Sequence, residues 1–266
     1  MHITLVPFAG LCNRLNAIAS GLAYKEKYPN TDLVILWHKR WHCNCRFRDL
    51  FKQLPPQYTP VNELFLNFKD LPGTRLNLNI PQRLRSLWYD YSFLPGYPAD
   101  EFDELTSGKS KVYVHKDNRF CKESISHSLA RIFRPTEELQ LRIDEVTADW
   151  NGKVIGLHIR RTDNKEAMAK SPMTHFYEVI EKELEKDSDT RFYVATDDVE
   201  VKKDLWQRYG DRIITIPLCL KRNSVQGMKD AVVDLYCLGS TRKIYGSAFS
   251  TYSSFAANLF DIEISI

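Results

Sequence analysis

The chain lacks any apolar run long enough to cross a membrane, since no stretch approaches the ~20 apolar residues that a transmembrane helix requires. Its first residues, MHITLVPFAG, have neither the basic segment nor the long apolar segment of a secretory signal peptide. The six cysteines, at positions 12, 43, 45, 121, 219 and 237, are scattered and do not form the pattern of a disulfide framework. These absences predict a protein with no integral membrane segment in a reducing compartment, and we expect it in the cytoplasm.

A strong excess of charge of either sign is also absent. The chain has 37 Lys and Arg against 34 Asp and Glu, a formal net charge of +3, which is too small by itself to indicate a nucleic-acid-binding surface. Internal repeats and low-complexity tracts are not visible. What is present is a globular composition of 266 residues, 43% of them hydrophobic, which is enough for two cores of about 130 residues each.

Predicted strands and helices alternate regularly after residue 150. The strands are predicted at 153–159, 191–195, 212–217 and 243–246. The helices are predicted at 173–186, 199–210, 227–239 and 252–260. Strands separated by helices of this length favour right-handed βαβ units and a parallel sheet. Residues 135–266 are therefore predicted to form a Rossmann-like domain.

The first half begins in the same way and then becomes irregular. A strand at 2–8, a turn at Gly10, a helix from about Asn13 to Tyr28 and a strand at 32–37 precede a loop-rich region at 38–110, which contains many prolines and aromatics. A strand at 111–115 and a short helix near 123–132 complete this half. We expect an α/β domain over 1–134 that carries a loop-rich insertion. Pro135 and Thr136 mark a helix start with acids in its first turn, which places the domain boundary there.

The stretch VIGLHIRRTDN, Val154 to Asn164, is an apolar strand that ends in charged residues. Side chains alternate along a strand, so His158 and Arg160 are expected on one face, opposite to the apolar residues at 155, 157 and 159. Ligands of open parallel sheets bind where strands end, and Arg160, Arg161 and Asp163 fall at such an end. An arginine fork binds phosphate through two parallel hydrogen bonds, which favours a diphosphate ligand. The alternative is that both arginines are surface residues that pair with Asp163 or a nearby Glu.

Four motifs, VIGLHIRRTD, RFYVATDD, VQGMKDAVVDLYCLG and KIYGSAFSTYSSFAANL, resemble successive motifs of the fucosyltransferase superfamily. The resemblance is strongest to the α1,6-fucosyltransferases and the nodulation-factor fucosyltransferases. It extends over about residues 153–260, while in the first half only the AGLCNRL turn is similar to the glycine loop of the family.

The resemblance implies an α/β GT-B-like architecture, with two Rossmann-like domains and a cleft between them, the first domain being on the acceptor side. It further implies that fucose is transferred from GDP-fucose to a glycan hydroxyl, with inversion and without a metal ion. No cofactor is expected beyond GDP-fucose as the donor substrate. The expected partners are the donor and an oligosaccharide or glycolipid acceptor, with no nucleic acid. Because the chain shows no membrane anchor, we expect a cytosolic enzyme of glycan biosynthesis whose acceptor the sequence does not name.

The resemblance also assigns roles to residues of this chain. Arg160 is expected to bind the β-phosphate, while His158 and Asp234 help to recognise the guanosine. Glu166 is the counterpart of the general base, although its spacing from Asp163 is shorter than in the relatives, and Asn164 stands where they have Lys. The remaining counterparts build the site or contact the nucleotide sugar: Arg161, Asp163, Asp197, Asp198, Ser250, Thr251, Asn13 and Arg14.

Residue types alone leave other interpretations open. Asp234 lies one turn from Asp230, so both fit a solvated helix face, and Glu166 fits a solvated loop residue. Four residues assigned to the nucleotide site also fit as helix N-caps: Asp197, Asp198, Ser250 and Thr251. At the level of function, the alternatives are a glycosyltransferase that uses another nucleotide-sugar donor and a GDP-sugar-binding protein without catalysis.

The segment from Trp37 to Phe51 contains four residues of types that bind zinc: His38, His42, Cys43 and Cys45. Their C-x-C and H-x3-H spacings differ from the usual C-x2-C knuckle, so we expect no metal. The basic and aromatic character of this segment fits either an acceptor-binding surface or the packing of the insertion.

Overall fold

The computed structural model describes residues 1–63, 85–162, 165–219 and 221–266. The chain divides into two compact units. Unit 1 contains Met1–Thr136 and Lys221–Met228, and unit 2 contains Glu137–Leu220 and Lys229–Ile266. The first change of unit therefore falls two residues after the predicted boundary at 134, while the short segment Lys221–Met228, predicted in the second domain, lies in unit 1.

Unit 1 is built on a parallel sheet of five strands among the described residues, in the order β3-β2-β1-β5-β4. The strands are β1 (His2–Pro7), β2 (Asp32–Trp37), β3 (Val61–Glu63), β4 (Tyr91–Phe93) and β5 (Lys111–Lys116). The helices are α1 (Leu11–Lys27), α2 (Phe102–Thr106) and α3 (Leu129–Ile132), with 3-10 turns at Phe47–Asp49 and Ala99–Glu101. Leu15, Ile18 and Leu22 follow the spacing of one helix face and are buried, which explains why α1 packs against the sheet.

Unit 2 is built on a second parallel sheet of five strands in its described part, in the order β10-β9-β6-β7-β8. The strands are β6 (Val154–Ile159), β7 (Arg191–Thr196), β8 (Ile213–Ile214), β9 (Lys243–Gly246) and β10 (Glu263–Ser265). The helices are α4 (Glu137–Thr147), α5 (Lys165–Lys170), α6 (Met173–Lys186), α7 (Val199–Tyr209), most of α8 (Val225–Gly239) and α9 (Thr251–Phe260), with a 3-10 turn at Gly210–Arg212.

The central strand β6 is buried on both faces. Ile155, Leu157 and Ile159 pack on one face into an apolar cluster that includes residues of α6 and α7. On the other face a Cβ at Gly156 would lie 2.7 Å from Cδ1 of Leu238 and 2.8 Å from Oγ1 of Thr241, so a larger residue would require these side chains to shift. The predicted alternation of side chains along this strand is confirmed.

The regular half of the chain has the predicted order of strands and helices, with small differences in length. The strand predicted at 212–217 is limited to Ile213–Ile214, and the helix predicted near 123–132 is limited to Leu129–Ile132. The strands β3, β4 and β10 were not predicted because each has only three residues, too few to show a period of two. None of the helices in the described part of the chain is long and apolar enough to cross a bilayer.

Candidate functional site

The carboxyl ends of β6, β7 and β9 lie side by side in unit 2. Ile159 of β6 is paired with Thr196 of β7, and His158 is paired with Gly246 of β9. Since neighbouring parallel strands end at the same edge of a sheet, the residues that follow them come together there. The predicted site residues after β6, after β7 and after β9 therefore lie at one edge.

Ser247, directly after β9, holds the end of β6 in place. Its N–H donates to the carbonyl oxygen of His158 at 2.9 Å, and its Oγ donates to the same oxygen at 3.1 Å. The same Oγ accepts the N–H of Arg160 at 3.0 Å. Ser247 is fully buried, so the main chain at Arg160 is fixed by a hydroxyl that the sequence reasoning missed. The available signal was a hydroxyl residue immediately after the strand KIYG.

Asp197, directly after β7, shapes the loop that leaves β6. Its Oδ1 accepts the N–H of Arg161 at 2.8 Å, and its Oδ2 accepts the hydroxyl of Thr162 at 2.6 Å. Asp198 has a different role, since its side chain accepts the N–H of Glu200 at 2.9 Å and caps α7. The N-cap interpretation is therefore correct for Asp198, while Asp197 acts on the arginine loop. A direct contact of either residue with a nucleotide stays a prediction.

Arg161 ties the same loop to the start of α6. Its Nη2 donates to the carbonyl oxygen of Ser171 at 2.6 Å, and its guanidinium lies 5.8 Å from the centre of the Phe176 ring. Burial lowers the pKa of Arg161 below its usual value. The Oγ of Ser171 accepts the N–H of Ala248 at 2.9 Å, which connects this contact to the turn after β9. Arg161 thus connects the loop after β6 with the start of α6, and its role in a nucleotide site stays a prediction.

His158 and Arg160 lie together, as the alternation of side chains predicted. Burial, followed by the charge of Arg160, lowers the pKa of His158 to about 4, so the imidazole is neutral near pH 7. Its ring lies 5.1 Å from the ring of Tyr252, and no described residue forms a hydrogen bond with its buried Nδ1. Arg160 is half-buried.

Asp234, on α8, is buried and held by two tyrosines. The hydroxyl of Tyr193 donates to its Oδ1 at 2.6 Å, and the hydroxyl of Tyr252 lies 3.1 Å from its Oδ2 and 2.8 Å from the carbonyl oxygen of Ala231. Burial raises the pKa of Asp234 to about 6, although the tyrosine hydrogen bonds and the charge of Lys202 act in the opposite direction. Burial therefore outweighs these effects and keeps the pKa of this carboxyl above its usual value.

The interpretation of Asp230 and Asp234 as a solvated helix face is wrong, because both are buried. Asp230 accepts a hydrogen bond from Nη2 of Arg142 at 2.8 Å and another from the N–H of Cys219 at 2.7 Å. A buried carboxylate needs such partners to offset the loss of water. The ion pair with α4 could not be read from the spacing within α8.

Ser250 and Thr251 begin α9. The Oγ of Ser250 accepts the N–H of Tyr252, which makes Ser250 the N-cap, and Thr251 is the first helical residue. The N-cap interpretation is therefore correct for Ser250. Helix N-termini also attract phosphate through free N–H groups and the helix dipole, so a phosphate contact here stays a prediction.

The candidate general base lies on α5. Glu166 is exposed in the first turn of this helix. Asp163 and Asn164, which precede the helix, lie outside the described residues. The role of Glu166 as a base stays a prediction.

In unit 1, Arg14 holds the AGLCNRL turn. It is fully buried, its Nε donates to the carbonyl oxygen of Ala9 at 2.9 Å and its Nη1 to that of His38 at 2.6 Å. Its guanidinium lies 4.8 Å from the centre of the Trp37 ring. Ala9 has a positive φ of 65°, a conformation that costs energy in a non-glycine residue and that this contact helps to hold. Asn13 is half-buried beside it, and the contact of both residues with a sugar stays a prediction.

Four residues of the segment from Trp37 to Phe51 were considered as zinc ligands, and the absence of a metal stays an expectation. In the described ranges, no group of three or more His, Cys, Asp or Glu residues lies close enough to hold a metal ion. The Sγ atoms of Cys43 and Cys45 are 3.8 Å apart and both thiols are buried.

Each of the two units is an α/β unit built on a parallel sheet, and unit 2 carries arginines and a capped helix start at its strand ends. Two α/β units of this kind are typical of GT-B glycosyltransferases. A family model described as "Alpha-(1,6)-fucosyltransferase N- and catalytic domains" matches residues 84–224, more than half of the chain, and the chain belongs to this family. The matched range contains Arg160, Arg161 and Asp197, and it ends before Asp234 and Ser250. The predicted superfamily is confirmed.

Solved structures show the same fold. The fucosyltransferase NodZ from Bradyrhizobium is 16% identical, with 96% of this chain and 91% of that chain covered at a TM-score of 0.61. A mutant of Arabidopsis thaliana FUT1 in complex with GDP is 18% identical, with 99% of this chain and 69% of that chain covered at a TM-score of 0.63. POFUT1 in complex with GDP-fucose is 13% identical, with 98% of this chain and 94% of that chain covered at a TM-score of 0.54. At these identities the likeness establishes the fold alone, and it confirms the predicted fold class. No curated protein sequence matches the chain.

Proposed function

We propose that the protein transfers fucose from GDP-fucose to a hydroxyl of a glycan, with inversion at the anomeric carbon and without a metal ion. Membership of the α1,6-fucosyltransferase family supports the reaction. NodZ has been soaked with GDP-fucose, and POFUT1 has been solved in complex with it, which supports the choice of donor. The observation that carries the proposal is the position of Arg160 at the strand edge of unit 2, where Ser247 fixes its main chain.

Arg160 takes the role that a metal ion has in other transferases. Bond cleavage at the sugar passes through an oxocarbenium-like state, while negative charge accumulates on the leaving diphosphate. A guanidinium keeps its charge at any working pH and binds two phosphate oxygens in parallel. Because the turn that carries Arg160 is already fixed, little reorganisation is needed as this charge develops.

Asp234 and His158 recognise the guanosine in this proposal. Each oxygen of an ionised carboxylate has two acceptor sites, so Asp234 can accept guanine N–H groups while the tyrosines remain bound. His158 is neutral near pH 7 and therefore offers one donor and one acceptor. In this proposal the guanine is recognised through hydrogen bonds and the diphosphate through charge.

Glu166 is the proposed general base. Its exposed carboxylate follows the arginine loop by a few residues, and a carboxylate can accept the proton of an acceptor hydroxyl as the new bond forms. Attack from the face opposite the diphosphate inverts the anomeric carbon. We further propose an oligosaccharide or glycolipid acceptor and a cytoplasmic location, which six free thiols support.

A donor panel tests the proposed function. GDP-fucose, GDP-mannose, UDP-galactose and UDP-glucose are incubated with pooled glycan acceptors, with and without EDTA, and nucleotide release is measured. Release from GDP-fucose that EDTA does not inhibit is the expected result, and NMR of the product then gives the linkage and the anomeric configuration. Release from another donor alone, or tight GDP binding without release under any acceptor, would contradict the proposal.

A further inference from the structure

Unit 1 contains a group of buried basic side chains that the proposed mechanism does not use. We call it the basic cluster, and its members are Arg14, His38, Arg85 and His115. Their exposed fractions are 0%, 7%, 8% and 5%, respectively. His38 directly follows β2, His115 lies next to the end of β5, and Arg14 follows the end of β1 in the first turn of α1. Three members therefore lie at the carboxyl edge of the first sheet, where ligands of parallel sheets bind.

Arg14 is a buried cation that forms no ion pair with a carboxylate among the described residues. Its Nε and Nη1 donate to main-chain carbonyls, while its buried Nη2 has no hydrogen-bond partner in the part of the chain that the structure describes. Carbonyl oxygens are neutral, and a guanidinium cannot lose its proton in a protein. An uncompensated buried charge costs several kcal/mol. Nη2 is therefore the donor of Arg14 that a buried anion would satisfy.

The two histidines are also incompletely bonded. Among the described residues no geometrically sound hydrogen bond reaches the buried ring nitrogens of His38 or Nε2 of His115, although the main chain of Leu36 acts to raise the pKa of His38. Burial, Arg14, Arg40 and His115 together lower the pKa of His38 to about 2. Burial, Arg40, Arg85 and Arg14 lower that of His115 to about 4. The charges of Arg14 and Arg40 act on both rings, and the pairing of His115 with Val6 places His115 beside the end of β1, from which the AGLCNRL turn leaves the sheet.

Cys43 is the resident group that could supply negative charge. Burial raises the pKa of its thiol, but the hydrogen bond with Cys45 and the charge of Arg14 outweigh that effect and place the pKa below its usual value. A thiolate there would neutralise Arg14 in part, but it would leave the ring nitrogens of His38 and His115 without partners. A bound oxyanion can satisfy these nitrogens and Nη2 of Arg14 together.

We propose that the basic cluster binds a carboxylate or phosphate group carried by the acceptor, so that the protein selects an acidic glycan. This inference rests on the proposed function, in which the diphosphate of the donor is bound by unit 2 and a second anion belongs to the other substrate. The guanidinium of Arg14 donates through Nη2, and the imidazoles take up a proton and donate as the anion enters. Anion binding therefore strengthens as the pH falls.

The test uses the full chain saturated with GDP, so that the nucleotide site is closed to the probes. Glucuronate and glucose 1-phosphate are titrated by calorimetry, with glucose as the neutral control. We expect at least one of the two anions to bind and glucose not to bind. For glucuronate, whose carboxylate stays ionised between about pH 7.5 and 6, we expect the affinity to rise several-fold over this range with uptake of protons. The phosphate of glucose 1-phosphate titrates at about pH 6, so its binding is compared at about pH 7.5 only. The two anions distinguish a uronic acid from a phosphorylated sugar.

Variants assign the binding to the cluster. His38→Gln and His115→Gln each remove an ionisable ring. Each should lower the affinity for the anion about tenfold and reduce the pH dependence of binding, in line with the loss of a charge-assisted hydrogen bond. His127→Gln is the matched control, because His127 is an exposed histidine of the same unit. Cys43→Ala should bind the anion at least as tightly as the wild type. Thermal unfolding of every variant is measured without the probe, so that a folding defect is separated from a binding defect.

Two results would overturn the inference. The first is that neither anion binds the GDP-saturated wild type, and the second is that binding is unchanged in both histidine variants. The outcome is separable from that of the proposed function. Fucose transfer without anion binding refutes the acidic acceptor alone, whereas anion binding without fucose transfer refutes the transferase and leaves an anion site.

Discussion

The pH dependence of donor binding tests the placement of guanine at Asp234. Burial raises the pKa of this carboxyl to about 6 in the nucleotide-free protein, and only the ionised form accepts hydrogen bonds at both oxygens. If the protonated form does not bind, affinity follows the ionised fraction, which is nearly complete at about pH 8 and about one tenth at about pH 5. We therefore expect the Kd for GDP-fucose to rise about tenfold, or ~1.4 kcal/mol, over this range.

Calorimetry with GDP-fucose is the suitable assay, because its diphosphate is esterified at both ends and has no proton to titrate in this range, unlike GDP. His158 does not interfere, since its pKa of about 4 keeps the ring largely neutral. Asp234→Asn should bind more weakly at about pH 8 and lose the pH dependence. Asp211→Asn, at an exposed position of unit 2, is the matched control.

Measuring the stability of Asp234→Asn distinguishes a lost contact with the nucleotide from a damaged fold. A carboxyl whose folded pKa is raised contributes stability that is complete below its unfolded pKa and is lost as the pH rises through about 6. Asp234→Asn should therefore be at least as stable as the wild type at about pH 8 while it binds GDP-fucose less tightly. A wild-type Kd that does not change with pH, or an Asn variant that keeps the wild-type slope, would refute the reasoning.

Three further predictions concern the same edge of unit 2. Arg160→Ala should lower kcat about 100- to 1,000-fold. Arg160→Lys should not restore kcat, because an ammonium lacks the planar fork of a guanidinium, and near-normal turnover in this variant would contradict the proposed role of Arg160. Arg212→Lys, at a half-exposed position, is the control. Glu166→Gln should lower kcat strongly with an unchanged Kd for GDP-fucose, and equal turnover in the two proteins would exclude Glu166 as the base. Because the pKa of His158 is lowered in the folded protein, its contribution to stability is complete above about pH 6.5 and is lost as the pH falls towards 4. Urea unfolding at about pH 7.5 and 5 should therefore show a smaller decrease in the free energy of unfolding for His158→Gln than for the wild type. An equal decrease in the two proteins would assign the pH dependence to other groups.

The positions of the strand-end residues could be predicted because they depend on short-range periodicity. A period of two along β6 is enough to place His158 and Arg160 on one face, and parallel pairing brings the residue after β7 to the same edge. The sequence therefore indicated where Arg160 and Asp197 would lie. It also indicated the cap at Ser250, because a hydroxyl residue at a helix start satisfies a free N–H group.

The hydrogen bonds that hold these residues could not be predicted, because their partners are distant in the sequence. Ser247 is 87 residues from Arg160, and Arg142 is 88 residues from Asp230. A local pattern has no information on such pairs. The full burial of Arg14 was missed for a related reason, since a guanidinium is usually exposed unless carbonyl groups and an aromatic ring surround it.

The double contact of Ser247 makes the main-chain amide of Arg160 a useful spectroscopic reporter. This proton lies at the rim of the proposed diphosphate site, yet a buried hydroxyl shields it, so its exchange with deuterium depends on opening of the strand end rather than on ligand occupancy. A change at the side chain of residue 160 should leave that exchange slow, whereas removal of the serine hydroxyl should accelerate it. Substitution of the side chain at residue 160 therefore alters the chemistry of this strand end, and substitution of Ser247 alters its local rigidity.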